Sequence, residues 1–95
     1  MNNISLIKKE LLSEGFPEFM IDRTITKINN FSGALLDAFN DWMSSGKEPS
    51  IVVEDYSYTE LIEKYSMTSI GAFITLDWLV KDPEKAKKAL TEGIR

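Results

Sequence analysis

The segment that decides the fold is Ile70-Gly-Ala-Phe-Ile-Thr-Leu-Asp-Trp-Leu-Val80. Its side chains are apolar on nearly every face of a helix, and only Thr75 and Asp77 interrupt them. A helix that is apolar all round is stable in water only when other elements surround it. We therefore predict a central buried helix here. An unpaired carboxylate in such a helix would be costly, so we expect Asp77 to reach solvent, a salt bridge or a helix N-terminus.

Helix signals lie on both sides of this segment. Ser57 and Glu60 have the spacing of a capping box, which predicts a short helix over about 58–65. Asp82-Pro83 combines an N-cap residue with a proline at the first helical position, which predicts a last helix over 83–92. These helices and the buried one form a predicted C-terminal helical unit.

The N-terminal half shows three helical patterns. Apolar residues at helical spacing predict helices over about 4–14 and 17–28. A third helix, with a wide aromatic face, follows the candidate N-cap Ser32 and runs past Trp42. We therefore predict an N-terminal three-helix unit over about 4–45.

Residues 44–56 are the predicted linker to the C-terminal unit, which spans about 57–93. Gly46 can end a helix and Pro49 cannot continue one. The β-branched run 51–53 is strand-like, but no second run is available to pair with it. We interpret it as extended coil rather than as part of a sheet.

The length and charge of the chain limit both its fold and its partners. A chain of 95 residues can bury enough surface for one hydrophobic core. We expect a single all-α domain over 1–95, a compact bundle of five to six short helices with the N-terminal unit packed on the C-terminal one. The net charge of −4 makes the protein acidic. Since neither half carries a basic surface, nucleic acid is not the expected partner.

The chain contains no histidine and no cysteine. Thiolate nucleophiles, histidine-dependent catalytic triads, disulfides and zinc ribbons are therefore excluded. An enzyme would have to use carboxylates, lysine or tyrosine with strongly shifted pKa values. We therefore predict a non-enzymatic protein with no catalytic residue, no cofactor and no metal.

The N-terminal sequence resembles neither a signal peptide nor a membrane span, so we expect a cytoplasmic protein with no membrane partner.

A pattern of turns and apolar positions runs through the first 45 residues. Leu11-Leu12 precede the turn Gly15-Phe16-Pro17, Asn29-Asn30 form a second polar turn, and Leu36 and Phe39 lie on the helix that follows. This pattern resembles the UBA-like three-helix bundle. In that family a glycine-aromatic loop and helix three form an apolar patch that binds partner proteins. The resemblance implies a binding patch of Gly15, Phe16, Pro17, Leu36 and Phe39.

Ten of the 95 residues are aromatic, which is a large number for one small core to bury. Tyrosine and tryptophan prefer an edge that is wet or hydrogen-bonded, and aromatic side chains at a surface are typical of contact sites. We add Trp42, Tyr56 and Tyr58 to the candidate binding residues; the alternative is that these aromatics fill the core. The resulting hypothesis is a protein that binds another protein, or itself as a homo-oligomer, through an apolar and aromatic surface.

Two alternatives remain open. The stretch 58–80 resembles a helix-turn-helix DNA-binding domain, which implies a small transcriptional regulator. However, 68–80 contains no cation to contact phosphates. The second alternative is a carboxylate-dependent enzyme, in which Glu54-Asp55 would combine with Asp37, Asp41 or Asp77 into a carboxylate pair or a divalent-metal site.

Overall fold

The computed structural model describes residues 4–93 and confirms the all-α fold class. In that range there are six α-helices and one two-stranded sheet. The helices are α1 (Ile4–Ser13), α2 (Ile21–Asn29), α3 (Gly33–Ser45), α4 (Tyr58–Glu63), α5 (Ser69–Lys81) and α6 (Pro83–Thr91), and the strands are β1 (Val52–Val53) and β2 (Tyr56–Ser57).

The chain divides into two compact units, an N-terminal one that ends at Phe31 and a C-terminal one that begins at Ser32. This division differs from the predicted three-helix unit over 4–45, because α3 groups with the later helices. The aromatic rings of α3 explain the difference, since the ring centroids of Phe39 and Trp42 lie 5.1 and 5.6 Å from that of Phe73 in α5. The organisation of 1–95 as a single domain stays a prediction.

The N-terminal unit consists of α1, a short 3₁₀ turn (Glu18–Met20) and α2. Gly15 ends the first helical segment with a φ of +92°, a backbone conformation that costs glycine little. The second helix was predicted from Pro17, but its α-helical part begins only at Ile21. Pro17 is extended and the 3₁₀ turn follows it, so the chain turns its corner before the α-helix starts.

The C-terminal unit is built around α5, as the apolar pattern predicts. Five of its side chains are completely buried, and the helix contacts α3, α4, α6 and β1. The buried residues are Ile70, Ala72, Phe73, Leu76 and Leu79. Phe73 is the centre of the core, because the rings of Phe39, Trp42 and Tyr58 all lie within 5.6 Å of its ring centroid. The prediction of a central buried helix is confirmed.

The interpretation of 51–53 as extended coil is wrong for its last two residues. Val52 pairs with Ser57 and Val53 with Tyr56 in an antiparallel hairpin. The connecting loop is Glu54-Asp55, whose φ angles are +50° and +71°. Two residues with positive φ turn the chain tightly enough for strands this short to pair. The hairpin is therefore made by the loop conformation and not by a second apolar run.

The predicted helix boundaries in this unit hold within about two residues. The N-cap of the predicted capping box is present, since Ser57 Oγ accepts a hydrogen bond from the backbone N–H of Glu60 at 3.0 Å, while the Glu60 carboxylate lies 3.8 Å from Lys64 Nζ. The helix that it begins, α4, ends at Glu63 rather than near residue 65. At the start of α6, Asp82 Oδ1 accepts a hydrogen bond from the N–H of Lys85 at 3.5 Å.

Candidate functional site

Two of the predicted binding residues, Phe39 and Tyr58, lie in the core of the C-terminal unit. Their exposed fractions are 2% and 3%. Both rings pack against Phe73, with centroid distances of 5.1 and 5.2 Å. The Tyr58 hydroxyl is also used internally, because it donates a hydrogen bond to Ser69 Oγ at 2.9 Å. Neither side chain offers a surface to a partner, which differs from the prediction.

The other candidate residues of this unit, Leu36, Trp42 and Tyr56, are half-buried. Trp42 packs on the aromatic core, 5.6 Å from Phe73 between ring centroids. Tyr56 forms an edge-to-face pair with Tyr65 at 6.1 Å. The pKa of the Tyr65 phenol is raised above its usual value, mainly by partial burial and to a smaller extent by the neighbouring Tyr56. Most of the aromatic surplus is therefore used for packing.

The predicted loop residues Gly15, Phe16 and Pro17 lie in the other unit, on the turn between α1 and α2. Gly15 and Pro17 are exposed, and Phe16 is half-buried. The backbone N–H of Phe16 donates to the carbonyl oxygen of Leu11 at 3.0 Å, which fixes the loop against the end of α1. We call residues 12–19 the α1–α2 corner.

The most exposed large apolar side chain in residues 4–93 belongs to this corner but was missed by the sequence reasoning. Phe19, in the 3₁₀ turn, is 85% exposed. The signal was available, because Phe19 lies outside the apolar stripe that α2 buries. An apolar residue off the stripe of an amphipathic helix is expected to face water.

Exposed apolar side chains are concentrated in the N-terminal unit. Seven large ones occur in residues 4–93, and four of them precede residue 31. Those four are Ile4 (46%), Leu6 (50%), Leu12 (49%) and Phe19 (85%). Val52, Trp78 and Val80 are the exposed ones of the C-terminal unit.

A groove of about 350 Å³ lies in the C-terminal unit, between one face of α3 (34–41) and the segment 47–51. Alanine side chains of α3 lie on one side and Pro49 and Ile51 on the other. Asp37 and Asp41 also line it. We call this cavity the α3 groove.

Of the carboxylates in the predicted alternative site, Asp37 and Asp41 line the same groove, whereas Glu54 and Asp77 each pair with a lysine. Glu54 Oε1 lies 2.7 Å from Lys87 Nζ, and Asp77 Oδ2 lies 3.0 Å from Lys81 Nζ. The bonded Glu54 raises the pKa of the Lys87 ammonium group above its usual value. Across residues 4–93, no three acidic side chains are grouped so that they could hold a metal ion.

The helix-turn-helix spacing corresponds to α4 and α5. The exposed side chains of α5 include Trp78, Val80 and Lys81. Lys81, the cation among them, is paired with Asp77.

Within residues 4–93 no helix has both the length and the apolar character needed to cross a membrane. In comparisons of this chain with protein families, curated proteins and solved structures, no match was found.

Proposed function

We propose that this chain is a cytoplasmic, non-enzymatic protein that binds another protein, or a second copy of itself, through the α1–α2 corner. The observation that carries the proposal is Phe19, whose ring is 85% exposed. Burying a phenylalanine side chain that is free in water gains about 1.5–3 kcal/mol. Because the Phe19 ring is not packed in a core, a partner can bury it without any rearrangement of the fold.

Three further large apolar side chains of the same unit are exposed. Leu12, at the last turn of α1, is 49% exposed, and Ile4 and Leu6, at the start of that helix, are similarly exposed. A single exposed leucine would need no explanation, but four large apolar side chains in so short a unit favour a contact surface.

The resemblance to the UBA-like bundle supports the same location. It implies a binding role for the loop Gly15-Phe16-Pro17, and these residues immediately precede Phe19. We retain the loop in the proposed surface and add Phe19 and Leu12. Phe39 and Tyr58 are left out because their side chains are buried.

The chemistry of the chain supports docking over catalysis or base recognition. It has no imidazole and no thiol group. A recognition helix needs cations or amides directed at DNA, whereas the exposed lysine of α5, Lys81, is held by Asp77 at 3.0 Å. The other exposed side chains of α5, Trp78 and Val80, offer neither a cation nor an amide to DNA.

The proposal is tested by replacing the exposed ring. Phe19→Ser is compared with Val80→Ser, which removes an exposed apolar side chain (55%) from the C-terminal unit. Sedimentation equilibrium measures self-association, and quantitative affinity capture from the source cells measures bound proteins. We expect Phe19→Ser to lose the oligomer or the captured partner, and Val80→Ser to keep it.

Two results would contradict the proposal. One is a wild-type chain that stays monomeric and captures nothing above background. The other is equal binding by Phe19→Ser and wild type. Thermal melts of both variants control for folding; little change is expected, because exposed substitutions of this kind usually alter stability by less than about 0.5 kcal/mol.

A further inference from the structure

We propose that the α3 groove binds a cationic peptide segment of a partner protein, in which an arginine stands beside an apolar residue. This site shares no residue with the α1–α2 corner, and all of its lining residues belong to the C-terminal unit. It rests on the shape of the groove and on its charge, which together select one class of occupant.

The shape of the groove suits a side chain with an apolar stem. Its volume is about 350 Å³, enough for one or two long side chains. Ala34 and Ala38 leave the backbone of α3 within reach of a ligand, and Pro49 and Ile51 provide apolar surface opposite. An arginine can lay its methylene groups along such a surface while its charged head stays at the rim.

The charge of the groove lining is negative, and one lysine compensates it only in part. Asp37, Asp41 and Glu48 line the groove together with a single cation, Lys47. None of these four side chains takes part in an ion pair in the described part of the chain. The groove thus carries an excess of two negative charges, half of the net charge of −4. A cation entering it would meet carboxylates that have no competing partner.

The arrangement favours a guanidinium group over other cations. Asp37 and Asp41 are four residues apart on one helix, so their side chains lie on the same face. A guanidinium group is planar and can donate to two acceptors at once, whereas an ammonium group acts as a point charge. A metal ion does not fit, because these acidic side chains do not form a group that could hold one.

The test uses the full chain, labelled with ¹⁵N, and a short peptide of alternating arginine and leucine as the probe. We expect amide shifts confined to residues 34–41 and 47–51 when the peptide is added. The shifts should weaken as salt is raised, since exposed charges are screened over about 10 Å at 0.1 M salt. A peptide with glutamate in place of arginine should produce no shifts.

Matched variants separate this site from general attraction to an acidic protein. Asp37→Asn with Asp41→Asn removes two charges from the groove, and Glu63→Gln with Glu92→Gln removes two exposed charges elsewhere in the same unit. We expect the first pair to weaken peptide binding about fivefold, from the loss of two exposed charge contacts, and the second pair to change it little.

A third variant keeps the charge and blocks the space. Ala34→Gln places a longer side chain in the groove at an exposed position, and glutamine is tolerated well in helices. It should reduce binding as well, with the fold verified by circular dichroism. Shifts outside the groove, equal losses in both charge pairs, or full binding by Ala34→Gln would overturn the proposal. Phe19→Ser should bind the peptide normally, so this test and that of the proposed function can fail independently.

Discussion

At the residue scale, Asp77 shows how a charge is accommodated in the most apolar helix of the chain. The residue is 9% exposed, and its carboxylate lies 3.0 Å from the ammonium group of Lys81 one turn later. The lysine side chain is 47% exposed, so the pair links the edge of the core to solvent. Of the three arrangements expected for Asp77, namely solvent, a salt bridge or a helix N-terminus, the structure shows the salt bridge.

Removing the two members of this pair should have unequal effects. Lys81→Met leaves a nearly buried carboxylate without its cation, and we expect a loss of about 1–2 kcal/mol in the free energy of unfolding. Asp77→Asn removes the charge itself and should cost less. Urea denaturation of both variants measures the difference. The explanation fails if Asp77→Asn is the more destabilised of the two.

At the element scale, two serines occupy the same position relative to their helices but differ in what they do. Ser57 precedes α4 and accepts a hydrogen bond from the N–H of Glu60 at 3.0 Å. Ser32 precedes α3, and its side chain makes no capping hydrogen bond. The sequence pattern marked both as caps, so only the structure separates them.

This difference gives a matched pair of substitutions. We expect Ser57→Ala to lower the free energy of unfolding by about 1 kcal/mol, because one helix N–H loses its acceptor. Ser32→Ala should be close to neutral. Chemical denaturation of the two variants and of the wild type measures the free energy of unfolding. Equal losses in the two variants would show that the capping hydrogen bond does not cause the loss in Ser57→Ala.

The hairpin offers a second test at this scale. Asp55 has a φ of +71°, which strains any residue with a side chain more than it strains glycine. Asp55→Gly should therefore raise the free energy of unfolding by about 0.5–1 kcal/mol, since it removes that strain. The matched control is Lys88→Gly, an exposed position in the interior of α6, where glycine should destabilise by about 1 kcal/mol. A loss of stability in Asp55→Gly, measured by thermal melting, would contradict this reasoning.

The helices could be predicted from sequence because their signals are local. The capping box at Ser57, the proline after Asp82 and the apolar pattern of α5 each act within a few residues. The hairpin could not, because Glu54-Asp55 is not a usual tight-turn sequence. The pairing of Glu54 with Lys87 at 2.7 Å joins residues far apart in the chain, and no local pattern contains it.

At the scale of the whole molecule, Phe73 is the residue on which the core of the C-terminal unit depends. It is completely buried, and the rings of α3 and α4 pack around it. We expect Phe73→Ala to cost about 3–5 kcal/mol, a large share of the stability of a small domain. Near-ultraviolet circular dichroism should lose its aromatic signal before the helical signal disappears.

The control for this prediction is Val80→Ala on the same helix. Val80 is 55% exposed, so its truncation should change the free energy of unfolding by less than about 0.5 kcal/mol. If both variants melted alike, Phe73 would not be the centre of the core.

The candidate binding residues were harder to predict than the fold, because the exposure of a side chain depends on how the whole molecule packs. Spacing shows that Phe39 and Tyr58 lie on apolar faces, but not which apolar side chains the core has room for. Both became core residues because Phe73 brings their rings together. The α3 groove depends on segment 47–51 lying beside α3, which no local pattern indicates.

The two tryptophans occupy contrasting environments, and this gives the protein a built-in optical reporter. Trp42 packs on the aromatic core, 5.6 Å from Phe73, whereas Trp78 is 37% exposed on α5. Indole emission shifts to longer wavelength in water, so the intact chain combines a blue component with a redder one. With Trp78 replaced by phenylalanine, the remaining emission comes from Trp42 alone, and a quencher added to the buffer should reach it more readily as the unit unfolds.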